Sequence, residues 1–246
     1  MDFLAQMAAA LVLSALLSVV AYKMRMLTLG GAVASMFVGY IVGLFGSFEW
    51  LVVLILFTAV GLVATRMNIG EKIASGLQEG TAGERTYKNV LGVGLPPCTV
   101  AVAYMLINRF IGNEYDLELT VAFLSTLAVA AADTLASEVG VKDGRVWLIT
   151  NLRRVKRGTN GGISPLGTGA AFAGSLVTAV IGWLIIYKEL DLAMGVPILM
   201  GLAGCFLDSL LGATLESHGV ISKYTNNCVT AIAGAGLGFL AVFLIW

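Results

Sequence analysis

Eight stretches of this chain, at about 3–22, 27–46, 50–66, 90–111, 118–136, 165–187, 193–211 and 228–246, run on with almost no charge. A helix needs about 20 apolar residues to cross the ~30 Å hydrocarbon core of a bilayer, so these stretches have the length of membrane spans. The shortest is 50–66, and 118–136 closes on a carboxylate, Asp133. Continuous apolar runs, in place of alternating ten-residue segments, exclude a transmembrane β-barrel. Charged residues make up 12% of the 246 and hydrophobic ones 58%, with a mean hydropathy of +0.90. A soluble domain carries about 25% charged residues, and disorder requires the opposite bias. The expected fold is all-α: a polytopic membrane helical bundle of about eight transmembrane helices, forming one integral membrane domain over 1–246.

Residues 3–22 lack a basic start and exceed signal-peptide length, so they read as a retained span. Cys98, Cys205 and Cys228 lie in or beside apolar stretches without ligand spacing and read as small buried hydrophobes. The single histidine, His218, excludes a multi-histidine zinc or iron centre. Fifteen basic and fifteen acidic residues cancel, leaving no electrostatic case for nucleic acid. Thirty glycines, many inside spans, suit close helix–helix approach.

The zero net charge hides an asymmetry. Thirteen of the fifteen Lys and Arg fall in four alternate connections: Lys23 and Arg25; Arg66, Lys72, Arg85 and Lys88; Lys142, Arg145, Arg153, Arg154, Lys156 and Arg157; and Lys223. The opposite side holds only Arg109 and Lys188. The positive-inside rule puts the basic connections in the cytoplasm and both termini outside a cell membrane. The connections at 67–89, 137–164 and 212–227 are also the long ones, with 23, 28 and 16 residues, whereas the outer ones are short turns. Long, ordered-looking loops in compact proteins carry function, so the chemistry is expected at the cytoplasmic face.

Two carboxylates, Asp133 and Asp208, sit at the cytoplasmic ends of the fifth and seventh spans. Each is followed by a hydroxyl residue and Leu, with Glu138 or Glu216 a little further on. An ionisable group in a span costs roughly 2.5–3.5 kcal/mol on insertion scales, which favours a metal or ion role over mere capping. Oxygen ligands without histidine suit Mg2+. A second constellation runs from Asn151 to Thr168: Arg153, Arg154, Lys156 and Arg157 precede Gly158, Thr159, Asn160, Gly161 and Gly162, and Pro165 then opens the sixth span. Cations, a glycine turn and a helix N-terminus together make an anion site. No Lys-Ser or Lys-Thr follows the glycines, so this is not a P-loop. Gly83–Asn89 and Tyr224–Asn227 stand at two further helix starts, where Asn and Thr are ordinary caps.

The run at 133–138 (Asp-Thr-Leu-Ala-Ser-Glu), Gly-Thr-Asn-Gly-Gly at 158–162, Asp-Ser-Leu-Leu-Gly-Ala-Thr at 208–214 and Asn226-Asn227 resemble, in order and spacing, one family of integral membrane prenyl-phosphate kinases. That family includes the plastid phytyl-phosphate kinase of vitamin E synthesis, with prokaryotic and animal relatives. The resemblance covers roughly residues 30–240; Val93-Gly94 stands where members often have Asn-Gly. It implies a CTP-dependent kinase that converts a prenyl monophosphate, of the phytyl or geranylgeranyl type, to the diphosphate. On that reading Asp133, Glu138 and Asp208, with Glu216, would hold Mg2+, and Arg154 would join the first three as catalytic. Arg153, Lys156 and residues Gly158, Thr159, Asn160, Gly161 and Gly162 would bind the nucleotide. Arg85, Lys88, Asn89, Asn226 and Asn227 would bind the lipid phosphate. The partners implied are CTP, the prenyl monophosphate and membrane lipid, with a homo-oligomer left open. Two alternatives stay open: a nucleotidyltransferase making a CDP-lipid, and a cation-coupled transporter.

The orientation is directly testable. A cysteine introduced at Asn160 should react with impermeant thiol reagents only from the cytoplasmic side, and one at Asn113 only from outside. Labelling of position 160 from outside would overturn the charge argument.

Overall fold

The computed structural model describes residues 3–74 and 83–245. Eight α-helices follow in chain order: α1 (Phe3–Lys23), α2 (Leu29–Phe45), α3 (Phe48–Ala74), α4 (Tyr87–Phe110), α5 (Asp116–Gly140), α6 (Pro165–Tyr187), α7 (Gly195–Leu211) and α8 (Lys223–Ile245). Seven of them are long and apolar enough to cross a membrane. The eighth, α2, has 17 residues and so spans about 26 Å. The protein is a polytopic helical membrane bundle, as the eight apolar runs imply.

Helix bounds differ from the apolar runs in an instructive way. The stretch that reads as shortest, 50–66, lies inside α3, whose 27 residues make it the longest described helix. Hydropathy ends at Arg66, where charge becomes tolerable, but helical hydrogen bonding continues past that point. The expected loop at 67–89 is correspondingly shorter; its residues 75–82, and the side chain of Lys72, lie outside the described residues. The other two long loops shrink likewise, since α5 continues to Gly140 and α8 begins at Lys223.

The bundle is built around α5, which packs against α3, α4, α6, α7 and α8. Every residue from Leu119 to Ala132 is buried. The small side chains of this run allow close contact: a Cβ at Gly174 of α6 would lie 2.9 Å from the Ala131 carbonyl oxygen. At the end away from the basic loops, Trp50 stacks on Phe123 with ring centroids 4.2 Å apart and tilts against Tyr104 at 4.9 Å. Aromatic packing thus fixes one end and leaves polar chemistry to the other.

The segment between α5 and α6 folds back over the basic end. It forms a two-residue antiparallel ribbon of β1 (Trp147–Leu148) and β2 (Gly162–Ile163), with Trp147 opposite Ile163. Asp143 staples this segment at its base. Its Oδ1 accepts from the Arg145 backbone N–H at 3.0 Å and from Arg145 Nε at 3.2 Å, and its Oδ2 accepts from the Leu166 N–H at 3.2 Å in the first turn of α6. The Arg145 backbone N–H, helped by the Leu166 N–H and the Arg145 guanidinium, holds this carboxyl below the usual carboxylate range.

A carboxyl held down in the folded state stabilises it fully above its unfolded value, about 4, and loses that contribution as pH falls through the folded value. Asp143→Asn keeps the shape but replaces one acceptor oxygen with an amide that cannot accept. The variant should unfold a few degrees below the wild type at pH 7, and the gap should narrow as pH falls below about 4. Thermal unfolding in detergent checks this; a gap independent of pH would remove the carboxylate from the account.

Candidate functional site

A cavity of about 340 Å3 opens at the basic end between α5, α6, α7 and the ribbon segment. Asp133, Asp208, Glu216 and the whole Gly158–Gly162 turn line it, together with Arg157 and Lys223. Helical spacing explains the convergence. On α5, Asp133, Ser137 and Gly140 share one face; on α7, Cys205, Asp208 and Ser209 share another.

The carboxyl groups of Asp133 and Asp208 face each other within hydrogen-bonding reach, with Glu216 and Lys223 close by. Two carboxylates at that range repel unless a proton or a cation stands between them. Oxygen donors facing a cavity fit Mg2+, which binds through one or two carboxylates and completes its shell with substrate phosphates and water. Among the described residues no group of three or more His, Cys, Asp or Glu is gathered tightly enough to form an all-protein cage.

Glu138 does not join this pair. Five residues along a helix is a rotation of about 140° from Asp133. The buried Glu138 therefore turns toward α3, where its Oε1 accepts from Thr65 Oγ1 at 2.9 Å. Its expected companionship with Asp133 and Asp208 at one metal is corrected by that geometry.

Glu216 reaches the cavity through a local irregularity. Residues Gly212–Glu216 form a π-helical turn, with the Ser217 N–H bonded to the Gly212 carbonyl at 3.1 Å. Single π turns often mark functional sites because the extra residue re-aims side chains. Asn160 Nδ2 donates to Glu216 Oε1 at 3.0 Å, and Asn226 Nδ2 donates to Glu216 Oε2 at 3.2 Å. Asn226 is fully buried and also donates to the Asp208 carbonyl at 3.0 Å. Asn226 is therefore a brace that ties α8 to α7 and to Glu216. Asn227, beside it, does not line the cavity.

The glycine turn presses directly on the π turn. Gly161 has φ +75°, and a Cβ there would lie 2.6 Å from the Ser209 carbonyl oxygen and 2.7 Å from the Ala213 nitrogen. Only glycine meets both demands. Among the described residues, the backbone N–H groups of Gly158 and Asn160 make no hydrogen bond, so they are available to an anion. The start of α6 is different from the expectation. Its Gly167 N–H is accepted by Ser164 Oγ at 3.0 Å and its Leu166 N–H by Asp143, so the first-turn amides are already satisfied.

The basic run divides. All four cations are exposed; of them Arg157 lines the cavity, and Arg154 lies 5.8 Å above the Trp147 ring on the ribbon. Lys223, at the first turn of α8, supplies a second cavity-lining cation. Sequence reasoning passed over Arg157 in favour of its neighbours and left Lys223 and Asp143 unassigned. Adjacency to the glycine turn was a usable signal for Arg157, and the Asp143-Gly144 turn pair for Asp143.

The remaining expected residues gather elsewhere. Asn89 Oδ1 accepts from the Thr86 N–H and hydroxyl, both at 2.8 Å, capping α4. Arg85 Nη2 donates to Thr65 Oγ1 at 3.2 Å. Arg85 and Asn89 line a second, apolar cavity, and Lys88 is exposed.

Comparison with known proteins agrees with this architecture. The chain is 29% identical over 241 residues to an uncharacterised membrane protein of Methanocaldococcus jannaschii, covering 98% of this chain and 96% of the relative. It is 37% identical over 175 residues to an uncharacterised membrane protein of Synechocystis sp., covering 68% and 63%. It is 27% identical over 202 residues to Protein VTE6, chloroplastic, of Arabidopsis thaliana, covering 82% and 59%. No solved structure matches. The family described as Integral membrane protein DUF92 matches residues 12–240, and the chain belongs to that family.

Proposed function

We propose that the protein is a CTP-dependent kinase that phosphorylates a prenyl monophosphate to the diphosphate at the cytoplasmic membrane face. The observation that carries this reading is the convergence in one cavity of a facing carboxylate pair, an anion-ready glycine turn and two cations. The family resemblance supplies the substrate class.

Joining two polyanions is a problem of charge and position. The acceptor is already an anion at neutral pH, so no strong general base is required. Its phosphate oxygen attacks the γ-phosphorus of CTP, the bond to the β-phosphate oxygen breaks, and CDP leaves with the electron pair. The protein then contributes mainly positioning and electrostatic stabilisation. Arg157, Lys223 and the N–H groups of Gly158 and Asn160 would hold phosphate oxygens. Asp133 and Asp208 would hold Mg2+. The ion would neutralise charge on the nucleotide phosphates. Asn160 and Asn226 would keep Glu216 turned into the cavity.

The test is where the label goes. With CTP labelled in the γ-phosphate and geranylgeranyl phosphate as acceptor, a kinase puts label into prenyl diphosphate and releases CDP. Nucleotidyl transfer would send the same label into pyrophosphate, and a transporter would form neither product. Asp133→Asn and Asp208→Asn should each abolish turnover while the protein stays folded in detergent. Arg157→Gln should cost roughly tenfold or more, as removal of a charge-assisted hydrogen bond does. Arg153→Gln, outside the cavity, should cost much less. Equal losses at 153 and 157 would move the nucleotide site out of this cavity.

A further inference from the structure

Along α5 the continuously buried run ends at Ala132, just before Asp133. Of residues 133–140, only Glu138 is buried again, at 4% exposure. The packed run fixes where Asp133 leaves the core. What holds Glu138 then limits how far the end of α5 can swing toward or away from α7.

Thr65 on α3 holds that carboxyl. Its Oγ1 donates to Glu138 Oε1 at 2.9 Å and accepts from Arg85 Nη2 at 3.2 Å, while the Gly61 carbonyl, 3.0 Å away, competes for the same hydrogen. One hydroxyl thus bridges a buried acid and a half-buried guanidinium. Arg85 is pinned in turn by its backbone. Its N–H donates to the Met26 carbonyl at 3.0 Å, and its carbonyl accepts from the Thr28 N–H at 3.1 Å. Arg85, Thr65 and Glu138 together tie the α1–α2 connection and α3 to the last turns of α5.

Apolar packing is thin around this tie. Phe57 and Gly61 of α3 line both the apolar cavity beside α1 and a groove of about 250 Å3 between α3, α5 and α6. Thr134 and Leu135, which follow Asp133, also line the groove. With hollows on both flanks of α3, a polar contact carries the junction, as polar side chains do between helices in hydrocarbon. Glu138 makes that contact on one face of α5, while Ser137 and Gly140 face the polar cavity on another.

We infer that Glu138 is a positioning residue: through Thr65 and Arg85 it holds the end of α5, and with it the separation of Asp133 from Asp208 on which a metal would depend. The inference rests on the metal role given to that pair in the function proposed above, and it is independent of the prenyl substrate. Ligands of a working site must be held within about 0.5 Å, and partners standing behind them typically change metal affinity roughly 10- to 100-fold.

Mn2+ binding to the intact protein in nanodiscs, read from the free-ion signal in electron paramagnetic resonance, tests this without turnover. The wild type should bind Mn2+. Thr65→Val keeps the shape, removes the hydroxyl and should weaken binding about tenfold, as should Glu138→Gln and Arg85→Gln. Thr65→Ser keeps the bridge and should bind like the wild type. Combining Thr65→Val with Arg85→Gln should cost no more than either alone, since both break one chain. Thr58→Val, whose hydroxyl bonds back to the Leu54 carbonyl within α3, should change nothing.

A loss in Glu138→Gln with none in Thr65→Val would make Glu138 a metal ligand and overturn the inference. A lower melting temperature in Thr65→Val with unchanged Mn2+ affinity would reduce the tie to fold stability and overturn it too. So would a wild type that binds no Mn2+, and so would an Arg85→Gln variant that raises only the KM for geranylgeranyl phosphate. The expected losses in a protein that makes no prenyl diphosphate would defeat the kinase reading and leave the positioning role standing. Turnover with Mn2+ affinity unchanged in all three single variants would do the reverse.

Discussion

The rest of the structure depends on the burial of α5. Within a bilayer, apolar burial gives little drive for helices to associate, so contact depends on how closely their surfaces can approach. From Leu119 to Ala132 this helix is buried residue by residue, with alanines at 128 and 130–132 where the partners come nearest. Asp133 is the first residue beyond that dry run. Its depth and direction are set by packing far from any charge. The same enclosure brings α7 close enough for Asp208 to face it.

A second constraint joins three segments distant in sequence. The glycine turn, the π turn and the first turn of α8 meet at Glu216 through Asn160 and Asn226. Neither the glycine turn nor the π turn could be regular α-helix and still make the contact. The left-handed backbone at Gly161 lets the loop descend onto Ala213, and the widened turn shifts Glu216 round the axis of α7. Such irregular backbone at the membrane boundary survives because buried polar partners satisfy it.

Much of the fold was legible because hydrocarbon imposes length and polarity on every span. The helical membrane bundle, and the place of Asp133, Asp208 and the glycine turn at its basic end, could be read from composition and spacing. Faces and ends were harder. Glu138 carries the right chemistry, yet a spacing of five turns it away from Asp133, a fact of helix geometry that a motif read as a string conceals. Arg154 and Arg157 look equivalent in sequence. The ribbon separates them, because Arg154 pairs across it with Trp147 while Arg157 falls where the chain re-enters the cavity. Hydropathy also stops α3 at Arg66, although its backbone runs eight residues further to Ala74. Lys223 gave little signal, since its importance lies in being opposite Asp208 across the fold.

The short α2 has a consequence for the surrounding membrane. Leu29, Val33 and Phe37 are exposed along a helix of only 17 residues, a few ångströms shorter than an average hydrocarbon core. Acyl chains beside that face must tilt or compress to match it, at a cost of fractions of a kcal/mol per ångström. A bilayer crossed by this helix would be thinnest along that flank of the bundle. A bilayer of short-chain lipid would accommodate such a dimple at least cost.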